Sequence, residues 1–398
     1  MLRPGTFALT LLLSLLTALG PLSMDMYLPA LPAISEALHA PIVQVQFTIS
    51  SYLIGFAVGQ MIYGPVSDRY GRRPVILAAL ALNCVAAVLC ALTMSIGALI
   101  TARFFQALGG AGSVVLARAA VRDLYSGVRA GRELSLMGSI TAFAPIAAPM
   151  IGGGLEMAWS WRAIFFLLLI FALFVAAMAA RFLPETLHPQ KRTSGPFSVR
   201  EMLAAYRSVL VHRGFLALVA ILSSTFVGLF AWISGAPIVM QGARYGLTPL
   251  IFGVIFSSGA AGYMIGAYAA SKVVMRFGLD RTIGIGCVIM AFGGLVMAAG
   301  VALDLGNVAW FVVPMMIYLA GMGLALPQTQ AAALTPFPDR AGTASSLLGF
   351  AQQTSAAIAA AAIGLYLGSS AWPVAGTIAA MGCLSLLIWA LTRNLRKA

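Results

Sequence analysis

Gly64-Pro65-Val66-Ser67-Asp68-Arg69-Tyr70-Gly71-Arg72-Arg73-Pro74 is a charged turn set between two long apolar runs. Its arginines resist transfer through hydrocarbon, so they hold the turn on one side of a membrane. Its glycines permit a sharp reversal of the backbone. A weaker copy, Arg276-Phe277-Gly278-Leu279-Asp280-Arg281, lies 207 residues further on, with Met275 where Asp68 would map. A repeated turn of this kind predicts two related halves, the first with the stronger latch.

Composition points the same way. The 398 residues are 61% apolar and 9% charged, with a mean hydropathy of +0.96, which excludes an ordinary soluble domain. A spanning helix needs about 20 mainly apolar residues. Twelve segments qualify, centred on 7–28, 44–66, 75–95, 98–120, 134–156, 162–183, 214–236, 250–272, 282–303, 308–330, 343–366 and 371–392. Barrel strands are about half as long and alternate in polarity, so the expectation is all-α. Domains follow as a six-helix bundle over 1–183, a polar linker over 184–213 and a second six-helix bundle over 214–398. The linker includes a weakly amphipathic piece around Ser198 to Leu210, and its histidines, His188 and His212, read as solvated.

The net charge of +13 does not indicate nucleic acid. With the amino terminus inside, the inner loops and tails hold 21 of the 24 Lys and Arg residues, the outer loops hold Arg162 and Arg244, and Arg103 lies in a span. This bias places both termini in the cytoplasm, with attraction to anionic lipid as a by-product. Met1-Leu2-Arg3 and the leucine-rich run behind it imitate a secretory signal, but Pro21 spoils the cleavage context, and the segment reads as a retained first helix. Cys84, Cys90, Cys287 and Cys383 all fall in spans and read as small buried residues. No histidine cluster, Ser-His-Asp set, nucleotide loop or metal spacing occurs, so neither an enzyme, a metal nor a cofactor is expected.

Two ionisable residues lie well inside spans: Asp25 in the first and Arg103 in the fourth. A charge there costs at least ~2.5 kcal/mol on insertion scales, so such residues face a cavity or a partner. Both sit near the outer ends of their segments, at similar depth. One reading is a structural ion pair. The other is a proton site: a lone carboxylate in a low-dielectric pocket holds its proton more readily, a nearby arginine opposes this, and arginine itself does not deprotonate. A substrate that favours the deprotonated carboxylate then competes with the proton.

The charged turn, together with Asp25-Met-Tyr-Leu-Pro-Ala-Leu-Pro, Arg103-Phe-Phe-Gln-Ala-Leu-Gly and Ala117-Arg-Ala-Ala-Val-Arg-Asp-Leu-Tyr125, resembles the major facilitator superfamily. The likeness is to its bicyclomycin and chloramphenicol resistance (Bcr/CflA) branch and spans nearly the whole chain. It implies a proton-coupled multidrug antiporter of a bacterial inner membrane, exporting small neutral or cationic amphipathic compounds and driven by the proton gradient. It implies proton relay by Arg103 with Gln106, although Ala107 follows where the broader signature has glycine. The antiporter motif of the superfamily is matched by Pro145, Ala148, Pro149, Gly152 and Gly153, with Ala144 and Ala148 in place of glycines. The small residues suit close helix packing and Pro149 suits a bend. In such proteins the charged turn, here Asp68, Arg69, Gly71 and Arg72, latches the halves, and Arg118 or Arg122 is a candidate partner for Asp68.

Candidate cavity residues are Tyr52, Phe56, Gln106, Phe226, Trp232, Phe256, Tyr318, Gln352 and Gln353, each with ordinary core or lipid packing as the competing reading. Aromatic walls and 19 methionines suit weakly polar drugs. A monomer is expected. A proton-coupled uptake permease for a small metabolite is the alternative function on the same scaffold.

Overall fold

The computed structural model describes residues 6–125, 127–188, 199–242, 244–337, 340–367 and 370–396. Among them the regular structure is helical, with no strand. The chain divides into two compact units, Met1–Phe197 and Ser198–Ala398, so the division falls within the stretch read as a linker. Of that stretch, residues 189–198 lie outside the described residues.

In the first unit α1 (Phe7–Asp25) ends where the chain turns through Met26 and Tyr27 into a 3-10 turn, Leu28–Ala30. Pro29 has no N–H to continue the ladder, so a new short helix, α2 (Leu31–Ala37), takes over. Then come α3 (Ile42–Tyr70), α4 (Arg72–Leu92) and α5 (Ile96–Leu124). Gly71 separates α3 from α4 with φ 96° and ψ 156°, a conformation that costs a side-chain-bearing residue dearly. The Ser95 side chain caps α5, accepting from the Ala98 N–H at 3.3 Å.

The fifth segment is two helices, α6 (Gly127–Thr141) and α7 (Ala144–Ala158). The interruption precedes Pro145, which stands in the first turn of α7, where its missing N–H costs nothing. Pro149 sits inside α7 without ending it, and the interruption of the segment lies at Ala142–Phe143. The unit closes with α8 (Trp161–Phe182).

The second unit begins with α9 (Val199–Leu210), the amphipathic piece of the linker, which buries Tyr206 and Val209 and packs on α13. It continues with α10 (Arg213–Gln241), α11 (Pro249–Ala302), α12 (Ala309–Leu334), α13 (Ala341–Tyr366) and α14 (Trp372–Leu391). The 54 residues of α11 would reach about 80 Å, far more than a bilayer of ~30 Å requires. They break at Gly278, where φ is 76° and ψ 174°, inside the second charged turn. With α11 taken as two spans and α6 with α7 as one, all twelve apolar segments are present as helical stretches long enough to cross a membrane.

His212 is not simply solvated. Its Nδ1 accepts from the Phe215 N–H at 3.1 Å and caps α10, and its ring meets Phe337 edge-on.

Candidate functional site

Asp25 is the last residue of α1 and is 9% exposed. Among the described residues its carboxylate takes part in no ion pair and no hydrogen bond. Arg103, seven residues into α5, is 0% exposed. Its Nη1 donates to the Ser23 carbonyl oxygen at 3.0 Å and to Gln106 Oε1 at 2.7 Å. Its Nη2 approaches the Met24 sulfur at 4.0 Å, and Nε has no partner. The structural ion pair, one of the two sequence readings, is therefore absent: Arg103 holds the backbone of α1 rather than the carboxylate.

Aromatic rings compensate the buried guanidinium. Its carbon lies 4.5 Å from the ring centre of Tyr27 and 4.2 Å from that of Tyr52, with Phe165 at 5.9 Å. Desolvated cation–π contacts of this kind are worth about 2 kcal/mol each. Hydroxyl bonds fix both tyrosines: Tyr27 shares one with Thr48 at 2.7 Å, and Tyr52 donates to the Gly20 carbonyl oxygen at 3.1 Å. Gln106 is tied in turn, since Asn83 Nδ2 donates to its carbonyl oxygen at 2.8 Å and Cys90 approaches Oε1 at 3.8 Å. Residues from α1, α3, α4, α5 and α8 thus converge on one arginine. The sequence reading missed Tyr27, Asn83 and Ser23, and no spacing rule would have paired Tyr27 with Arg103.

The antiporter motif reaches the same place. Ala148, Pro149, Gly152 and Gly153 are buried and Pro145 half-buried. Gly152 lies against the carbonyl oxygen of Met26, the residue after Asp25, at a distance only a hydrogen side chain permits.

At the other end of the unit the charged turn is a closed network. Arg72, 8% exposed, binds Asp68 Oδ1 through Nη1 at 2.6 Å and Asp123 Oδ2 through Nε at 2.8 Å. Its Nη1 also donates to Ser67 Oγ. The partner of Asp68 is therefore Arg72, not Arg118 or Arg122. The reversal at Gly71 folds Arg72 back over the end of α3, whereas Arg118 and Arg122 are exposed on α5. Arg69 stacks on neighbouring Tyr70 at 5.9 Å.

Glu185, read as a linker residue, caps α4: it accepts from the Arg72 N–H at 2.9 Å and the Arg73 N–H at 3.3 Å. An anion at a helix amino terminus also complements the helix dipole. Thr186 donates to Asp123 at 3.3 Å, and Leu187 is buried. A further carboxylate, Glu133 on α6, accepts from Thr10 at 2.6 Å.

In the second unit Asp280 accepts from Arg396 Nε at 2.7 Å, and Trp389 Nε1 donates to the Asp280 carbonyl oxygen at 2.9 Å. The second turn, lacking an acid at Met275, so finds an acid–arginine pair with the residues after α14.

The candidate cavity residues divide. Phe226, Phe256 and Gln353 are half-buried. Trp232, 2% exposed, is packed among Phe256 at 6.0 Å and Phe311 at 5.1 Å, and Tyr318, 0% exposed, donates to the Thr225 carbonyl oxygen at 3.2 Å. Trp232 and Tyr318 thus help to hold their own unit together. Gln106 gives its Oε1 to Arg103, while its buried Nε2 has no hydrogen-bond partner among the described residues. Tyr52, Phe56 and Gln352 are also buried.

The family model described as Major Facilitator Superfamily matches residues 13–361. The chain belongs to the major facilitator superfamily. It is 30% identical to Multidrug resistance protein D of Escherichia coli, covering 98% of this chain and 96% of that one. It is 30% identical to a Bicyclomycin resistance protein homolog of Haemophilus influenzae (99% and 98% covered). With the Chloramphenicol resistance protein of Pseudomonas aeruginosa it shares 33% (94% and 87%). These relatives place it in the bicyclomycin and chloramphenicol resistance branch. The fold matches that of the xylose transporter XylE from E. coli in a partially occluded inward-open conformation, with TM-score 0.75, 16% identity, and 98% and 97% of the two chains covered. The protein is a multi-pass membrane transporter.

Proposed function

We propose that this transporter exports small amphipathic drugs, neutral or cationic, in exchange for protons by alternating access, with Asp25 as the proton site. The relatives are named for resistance to drugs, and export is the way a membrane transporter would confer it. One observation carries the coupling: a nearly buried carboxylate in a membrane helix that is left without a cationic partner. Such a group is costly as an anion and stable once it holds a proton or meets a cation or donor from a bound compound. Proton and drug then exclude one another, which is the minimal condition for antiport.

One carboxylate couples about one proton. A proton-motive force of ~150 mV is worth ~3.5 kcal/mol, enough for a gradient of a few hundredfold in a neutral solute. Arg103 supplies a fixed positive charge that does not titrate. The energy source is the proton gradient, with no cofactor. The protein acts as a monomer in a bacterial inner membrane, both termini in the cytoplasm, as the positive charges of its inner loops favour.

The test uses everted membrane vesicles and radiolabelled chloramphenicol. An imposed gradient, acid inside, is expected to drive accumulation that a protonophore abolishes and that Asp25→Asn lacks. Accumulation in right-side-out vesicles instead would make the protein an uptake permease and sink the proposal.

A further inference from the structure

Resting on Asp25 as the proton site, we infer that Tyr27 and Tyr52 are positioning residues that keep Arg103 off the Asp25 carboxylate. The puzzle is why the two charges do not pair. Arg103 bonds the Ser23 carbonyl, two residues before Asp25 on the same helix, and its Nε has no partner. A free carboxylate lies close by along the chain, and a buried ion pair lacking one partner is costly on both sides. Something must hold the guanidinium where it is.

The two tyrosines do so. The guanidinium carbon lies over both rings, 4.5 and 4.2 Å from their centres, while Ser23 and Gln106 take the donors on Nη1. A planar cation held against two rings keeps its orientation only while both rings stay. Theirs are pinned by Thr48 and Gly20, and Tyr27 rests against Phe165 at 5.7 Å. Were a ring lost, the stem of Arg103 would be free to swing, and Asp25, two residues past the Ser23 carbonyl that it already holds, is a carboxylate with no ion pair among the described residues. The resulting pair would hold Asp25 ionised and stop it taking up a proton.

The other groups around α1 do not offer this partner. On α3 the titratable neighbour is Tyr52 itself; on α4 it is Cys90, engaged with Gln106. On α6 Glu133 is tied to Thr10 at the far end of α1, and on α7 Glu156 stands one turn beyond Gly152. On α8 Arg162 donates to the Thr93 carbonyl oxygen at 3.0 Å.

The experiment is a pH titration of the purified full-length protein by difference infrared spectroscopy. It follows the carboxylic-acid C=O band that Asp25→Asn removes. Tyr27→Phe and Tyr52→Phe keep the ring but lose the hydroxyl bond that pins it, and are expected to shift the titration less than the Leu variants. Tyr27→Leu and Tyr52→Leu, made singly and checked for a monodisperse elution profile, are expected to titrate at least about one pH unit lower. Adding Arg103→Ala to either Leu variant is expected to abolish that shift. The inference is overturned if folded Leu variants titrate as wild type, if the Phe variants shift equally, or if the shift survives Arg103→Ala. Absence of any Asp25-dependent band would instead remove the proton site on which it rests. Should one Leu variant not fold, the other decides.

Discussion

Gly152 of α7 lies against the carbonyl oxygen of Met26, one residue past Asp25, so closely that an added methyl group would overlap that oxygen. The end of α1 and the middle of α7 are thereby fixed to each other at the position where the carboxylate is displayed. The oxygen is backbone and has no rotamer with which to yield. Gly152→Ala is expected to push the helices apart at a cost of about 1–3 kcal/mol. Chloramphenicol efflux should fall severalfold while the protein still reaches the membrane, and a resistance assay beside an immunoblot of membrane fractions checks both. Gly154, on the same helix with open space around it, is the control, and Gly154→Ala should be silent.

The Arg72 network makes a stability prediction. Asp123 supports both Arg72 and Thr186, so Asp123→Asn removes a charge from a largely buried guanidinium. The cost is about 1–3 kcal/mol, seen as a lower thermal-unfolding midpoint of the purified protein. Arg118→Ala and Arg122→Ala, on exposed residues outside the network, should leave that midpoint unchanged.

Glu185→Gln keeps the shape of the α4 cap but removes its charge. Because Glu185 accepts from the N–H groups of Arg72 and Arg73, the loss of dipole complementarity should destabilise by about 0.3–1 kcal/mol, and Glu185→Ala by more. The same unfolding midpoint orders the three proteins: wild type, Gln, Ala.

In the second unit Gly228 lies where an added methyl would overlap the Tyr318 hydroxyl. Gly228→Ala should therefore destabilise, and Tyr318→Phe, which removes the clashing oxygen, should recover part of the loss. Additive effects of the two changes would show that the close approach is unimportant.

Much of the fold is legible because hydropathy reports the solvent of each segment: the twelve runs coincide with helices. The break before Pro145 is less legible. Pro145 and Pro149 both signal an interruption, and only the tertiary setting shows that the first ends one helix while the second is absorbed. Asp25 and Arg103 stand out in sequence because charge is rare in a span. Their relation does not, since it depends on Tyr27, past the end of α1, and Tyr52, on α3, both reaching one guanidinium. The partner of Asp68 was likewise hidden: Arg72, four residues away across Gly71, competes with arginines on α5, and the reversed backbone decides between them. Glu185 carries no sequence signal separating it from a solvated linker residue.

The central claim is that one carboxylate serves proton and drug by turns. It is tested most directly by adding chloramphenicol to weakly buffered, purified transporter and recording proton release with a pH-sensitive dye. About one proton is expected to be released per drug molecule bound, and none from Asp25→Asn. Equal release from wild type and Asp25→Asn, or drug binding by wild type with no release at any pH, would contradict it.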